Sequence, residues 1–144
     1  MSQKARVLDV PLPLVFDRPF YVDCVVSTHK QLLLKSPMAE VYDDRIDIVF
    51  KAVDAVHLSF KLPRVEIRIP TEHEVAGIEN AFGENMLALP GNQAFIIAGG
   101  PSDGYIVASA AYMVKSNLHG ANPSPLFFDL EGTERPDVIY RLAS

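Results

Sequence analysis

The chain has 144 residues, of which 49% are hydrophobic and 22% charged, with a net charge of −5 and a single cysteine. A chain of this length buries roughly 70% of its unfolded surface as one domain, so its core needs no disulfide or metal staple. The lone Cys24 excludes an intramolecular disulfide and a thiolate zinc site built from one chain, and the negative charge argues against a general affinity for nucleic acid.

The opening run Val10-Pro11-Leu12-Pro13-Leu14 is expected to lie extended across the body and bury Leu12 and Leu14. Each proline lacks an N–H and restricts the residue before it, which rules out a helix or a central strand. Strand patterns follow. Phe20, Val22, Cys24 and Val26 alternate with Tyr21, Asp23, Val25 and Ser27, and Gln31 to Lys35 contains Leu32, Leu33 and Leu34, with His29-Lys30 as the turn. Ser36-Pro37 and Tyr42-Asp43-Asp44 bracket a loop. Ile46, Ile48 and Phe50 alternate with Arg45, Asp47, Val49 and Lys51; Val56, Leu58 and Phe60 alternate with Ala55, His57 and Ser59; Val65, Ile67 and Ile69 alternate with Arg64, Glu66 and Arg68. A period of two gives one buried and one wet face, so residues 45–69 read as an antiparallel meander of three strands.

Thr71-Glu72-His73-Glu74 has capping-box spacing, Pro70 closes the strand before it, and Gly83 is a suitable stop. Val75, Ile78 and Phe82 form one apolar stripe, which predicts a helix over 72–82 lying on a sheet face. Beyond it, Met86 to Leu89 reads as a short strand ending at Pro90-Gly91-Asn92, and Ala94 to Ala98 as a fully apolar strand. The turn-rich loop 99–104 joins it to Tyr105–Val114, apolar on both faces and so expected as one central strand. A polar loop over 116–125 and two short strands, Leu126-Phe127-Phe128 and Val138-Ile139-Tyr140, complete the chain. No repeat of 20 to 50 residues stands out and no linker divides the chain, so residues 1–144 are expected to form a single globular domain.

Charge is unevenly placed. Residues 1–68 carry ten Lys/Arg against nine Asp/Glu, a net of +1, while residues 69–144 carry three against nine, a net of −6. Such a half presents either a solvated acidic face or a surface that meets a basic partner.

Individual motifs offer little catalytic chemistry. His73-Glu74-Val75-Ala76-Gly77 begins like the zinc-protease helix motif, but Gly stands where the second His belongs. Loop 99–104 is rich in Gly but lacks the Lys-Ser/Thr ending and following helix of a phosphate loop. Cys24 shares a predicted apolar face with Phe20, Val22 and Val26, which suits core filler better than a nucleophile. His57 and Asp47 lie on the polar sides of consecutive predicted strands, so antiparallel pairing would place a carboxylate beside an imidazole. His29 and His119 fall in predicted loops without a motif. Asp43, Asp44 and Asp47 read as a solvated turn, because a calcium loop needs more ligands and a glycine. Asn122-Pro123-Ser124 is blocked by Pro as a glycosylation site.

The fold expected is α+β: a mostly antiparallel sheet, as a partly open barrel or sandwich, with one principal amphipathic helix around 72–82. The leading functional expectation is a small non-enzymatic cytoplasmic binding module that docks on a protein partner, basic in character, through an acidic surface. Its candidate residues are Asp103, Gly104, Tyr105, His57 and Asp47, with Glu72, Glu79 and Glu84 supplying charge. One alternative is a small-molecule pocket protein or small enzyme with its site near 99–105; another is a structural homo-oligomeric subunit. No cofactor, metal, nucleic acid or membrane partner is expected, and neither a secretory leader nor the roughly 18-residue apolar run of a membrane span is visible.

Overall fold

A computed structural model of the chain describes residues 6–26, 30–39, 41–83, 86–117 and 138–143. Their elements, in order, are β1 (Arg6–Pro11), β2 (Leu14–Phe16), β3 (Phe20–Val26), β4 (Gln31–Ser36), β5 (Arg45–Lys51), β6 (Ala55–His57), β7 (Lys61–Leu62), β8 (Val65–Arg68), α1 (Glu72–Phe82), β9 (Gln93–Ala98), β10 (Gly104–Ala108), β11 (Ala110–Ser116) and β12 (Val138–Ala143). The fold is α+β and dominated by sheet. One sheet has the order β1-β12-β11-β5-β4-β3-β7 and the other β2-β8-β9-β10-β6. Every pairing is antiparallel except β1 with β12. Neither sheet closes into a barrel.

The two sheets face each other across one apolar core. Leu34, Ile48, Phe50 and Met113 come from the seven-stranded sheet, and Val65, Ile67, Phe95 and Ile106 from the five-stranded one. Phe50 meets Phe95 edge-on, with ring centroids 5.4 Å apart, and so bridges the layers. Strand β8 follows its alternation, with Val65 and Ile67 buried and Glu66 and Arg68 half-buried on the other face. The opening segment also lies extended, as β1 and β2 at the two sheet edges, where prolines are tolerated, and Leu12 and Leu14 pack against the core.

The connectivity differs from the predicted meander. Strand β5 belongs to the large sheet, whereas β6 and β8 belong to the small one and are not neighbours there. The chain changes sheet after Lys51, where Ala52 takes a positive φ of 54°. The predicted central strand 105–114 changes sheet in the same place and is two strands, β10 and β11. Core-facing positions shift from Ile106 and Ala108 to Ala111 and Met113, so the period of two breaks at Ser109-Ala110. The two bends are tied together: the Asp54 N–H donates to Val107 O at 2.8 Å, and the Ser109 N–H donates to Lys51 O at 2.9 Å.

Strand β3 carries a bulge between Val22 and Cys24. Beyond the bulge the backbone pairing resumes at Cys24 with Leu33. The side chains of Cys24 and Val26, and with them the apolar face expected for Cys24, lie outside the described residues. The bulge residue Asp23 bonds Lys35 Nζ at 2.9 Å. Strand β5 lacks the expected wet face, because Arg45, Asp47 and Val49 are buried, and Leu33 and Lys35 of the neighbouring β4 are buried with them. Charged residues are accommodated there in pairs, Lys35 with Asp23 and Arg45 with Asp47. Another buried cation, Arg18, donates to Ser36 Oγ, to the carbonyls of Ser36, Pro37 and Asp44, and to the Asp44 carboxylate at 2.7 Å. It pins the loop that follows β4, and its guanidinium lies over the Tyr42 ring at 4.2 Å.

Residues Met86 to Leu89 form turns rather than the expected strand. Asn92 folds this segment back by donating to Met86 O at 3.0 Å, and Met86 and Leu87 pack on the small sheet beside the helix. The predicted turn residue His29, the His119 loop, Asn122-Pro123-Ser124, the Leu126–Phe128 strand and Glu84 lie outside the described residues. Among the described residues no helix is long and apolar enough to cross a membrane.

Candidate functional site

The outer face of the small sheet carries one row of side chains in register. Arg68 of β8 pairs with Ile96 of β9, Ile96 with Tyr105 of β10, and Tyr105 with His57 of β6. Residues directly opposite one another share a face, so the row runs from a cation through two apolar positions to an imidazole. Ala94, Val107 and Ala55 lie beside it, and α1 presses its buried Ile78 onto this surface.

The helix is set over the row by its first turn. Thr71 Oγ1 accepts the Glu74 N–H at 3.2 Å, and Glu74 Oε1 accepts the Thr71 N–H at 2.9 Å, which is the predicted capping box. The same carboxylate takes two parallel bonds from Arg68, Nη1 to Oε1 at 2.6 Å and Nη2 to Oε2 at 2.8 Å. The hydrogen-bonded Arg68 guanidinium holds the Glu74 carboxyl down at about 2, and the Glu74 carboxylate in turn raises Arg68. Asp103 Oδ2 lies 3.5 Å from Arg68 Nη2, and Glu66 Oε1 lies 3.8 Å from Arg68 Nε. Three carboxylates thus surround one guanidinium, and the local balance is −2.

Between α1 and the start of β10 lies an open cleft of about 200 Å³. Glu74, Gly77 and Ile78 form its helix wall, Ile96 its floor, and Asp103, Gly104 and Tyr105 the facing wall. Gly77 lowers the helix wall: a Cβ there would meet nothing within 4 Å. Gly104 brings β10 close to β6, since a Cβ there would collide with the His57 carbonyl oxygen. His57 stacks on Tyr105 with centroids 5.6 Å apart, and Phe82 meets the same ring edge-on at 6.0 Å.

Of the residues singled out in the sequence, Asp103, Gly104 and Tyr105 line the cleft and His57 backs Tyr105. Asp47 does not meet His57. It lies in the other sheet, fully buried, and takes two bonds from Arg45 at 2.7 and 2.9 Å. Period two assigned both to polar faces but did not reveal that the chain changes sheet between them. Glu72 is exposed on the first helical turn and Glu79 is half-buried; neither lines the cleft. Asp44 and Asp47 of the acidic turn each have their own arginine, Arg18 and Arg45. Sequence reasoning passed over Arg68, Gly77, Ile78 and Ile96, and took Glu74 only as a cap. The pointer available was the Arg64-Glu66-Arg68 alternation, which put a guanidinium on one face of the strand that leads into the helix. No protein-family model matches the chain, and no curated protein or solved structure matches it either, so the cleft has to be read from its own geometry.

Proposed function

We propose that the chain is a binding module that docks on a basic segment of a protein partner through the cleft beside α1 and the acidic helix surface around it. The observation that carries this reading is the composition of the cleft. Apolar Ile96 and Ile78 lie beside two carboxylates, Glu74 and Asp103, with no cation among the described residues of the lining, and the Arg68 behind them is outnumbered by Glu74, Asp103 and Glu66. A lining of that sign repels anions and attracts cations, and its apolar part favours a group with a hydrocarbon stem. Glu72 and Glu79 extend the acidic surface along the helix.

Fluorescence anisotropy with labelled peptides of alternating Gly and Arg, or Gly and Glu, at low ionic strength tests it. The basic peptide is expected to bind and to weaken as salt rises, and the acidic one to stay free. Reversal of Glu72, Glu79 and Asp103 to Lys is expected to abolish binding. Equal binding of both peptides, or retention of basic-peptide binding by the triple reversal, would overturn the reading.

A further inference from the structure

We infer that the group received by the cleft is the side chain of an arginine presented by the partner, with Asp103 as the carboxylate that meets it and Tyr105 as the surface it lies on. This inference rests on the binding-module reading and gives that site its ligand chemistry.

The two carboxylates of the cleft are not equivalent. Both oxygens of Glu74 are engaged, Oε1 by Thr71 N–H and Arg68 Nη1 and Oε2 by Arg68 Nη2. Asp103 is 57% exposed and reaches Arg68 only at 3.5 Å, beyond good hydrogen-bond length. A loose ion pair at the surface contributes little, so Asp103 gives up little by turning to a second cation. Arg68 is held bidentately by Glu74 whether or not Asp103 turns away. The protein thus fixes one guanidinium and leaves a carboxylate beside it with acceptor capacity to spare.

Shape and charge select the occupant. Tyr105 carries His57 stacked on its β6 side and Phe82 edge-on, and it lines the cleft next to its cross-strand neighbour Ile96. A planar guanidinium lies flat on a phenol ring and still offers in-plane N–H groups to a carboxylate, whereas an ammonium is a compact point charge that does not combine the two contacts. Its methylene stem would lie on Ile96 and Ile78, and Gly77 leaves the way in unobstructed. A purely apolar ligand would strip water from Asp103 without replacing its hydrogen bonds, which is unfavourable. An anion would meet the net negative rim.

The test titrates ¹⁵N-labelled protein with N-acetyl-arginine methylamide and N-acetyl-lysine methylamide, and measures anisotropy with Arg-Gly and Lys-Gly peptides. The arginine probe is expected to shift the amides of Gly77, Asp103, Gly104 and Tyr105. The Arg-Gly peptide is expected to bind about tenfold more tightly than Lys-Gly, a difference of about 1.4 kcal/mol. Asp103→Asn and Gly77→Leu are each expected to lose about tenfold in Arg-Gly affinity. Gly77 sits in a helix with open space before it, so its replacement fills the cleft without disturbing the fold. Equal affinity for the two basic peptides overturns the inference. So does unchanged binding in Asp103→Asn alongside loss on Glu72→Lys/Glu79→Lys, which places docking on the helix surface and leaves the broader reading standing. Failure of both basic peptides to bind removes both.

Discussion

Arg68 and Glu74 join β8 to α1 by two parallel hydrogen bonds of 2.6 and 2.8 Å, and the same Glu74 closes the capping box of the helix. One carboxylate therefore fixes both the start of α1 and its attachment to the sheet. The helix needs that attachment, because Ile78 is its one fully buried residue and an isolated helix of 11 residues is marginal in water.

Glu74→Gln is accordingly expected to lower stability by about 1 kcal/mol, the size of a cap and a partly screened ion pair, with both partners about one quarter exposed. The loss has a defined pH dependence. Glu74 titrates at about 2 in the folded chain against an ordinary 4.5, so between those values the unfolded chain binds more protons. Its contribution is complete above 4.5 and fades as pH falls toward 2. Urea midpoints measured across that range should converge for the native chain and Glu74→Gln at the acid end and separate at neutral pH.

Asp47→Ala is expected to cost about 3–5 kcal/mol, because it strips the bidentate partner from a fully buried Arg45. Equilibrium urea unfolding measures it. A loss below about 1 kcal/mol would mean that the other contacts of Arg45 hold it without Asp47.

Glycines separate sharply by position. Gly77→Ala is expected to gain about 0.5–1 kcal/mol, since a Cβ there meets nothing within 4 Å and Ala is the better helix former. Gly99→Ala is expected to lose about 1–3 kcal/mol, because φ is +103° and a Cβ would lie 2.5 Å from Arg64 O. Thermal melts of the two variants should move in opposite directions.

Arg18→Lys is expected to destabilise by about 2 kcal/mol despite keeping the charge. The guanidinium serves five acceptors at once around Ser36, Pro37 and Asp44, and an ammonium cannot reproduce that fork. Hydrogen exchange should quicken in 38–39 and 41–44 more than in the core strands.

Local features were legible in the sequence and long-range ones were not. The Thr71-Glu74 box and the alternation through Val65 and Ile67 appear where expected, because each depends only on neighbours in the chain. The changes of sheet at Ala52 and Ser109 were missed, since period two reports which face a residue takes and not which sheet its strand joins. The bulge at Asp23 was invisible for a related reason: one extra residue shifts the phase without altering composition. At the cleft, the turn-rich chemistry of 99–104 directed attention to Asp103 and Tyr105. The Arg68–Glu74 pair spans a chain reversal at Pro70, and neither residue in isolation indicates that the other comes back to meet it.

The corner where Lys51–Ala55 runs beside Val107–Ala110 also bears on how the chain reaches this shape. Both strand pairs pass through it, β11 with β5 on one side and β10 with β6 on the other. Docking Ser109 against Lys51 therefore sets the register of both layers in one event, although the two residues are 58 positions apart. Closing so long a loop is slow, and little pairing on either side rewards the chain until it is done. The folding barrier is expected to be centred on this corner. Substitutions at Ala108 and Ala111 should slow refolding, whereas changes in the outlying β1 should mainly speed unfolding.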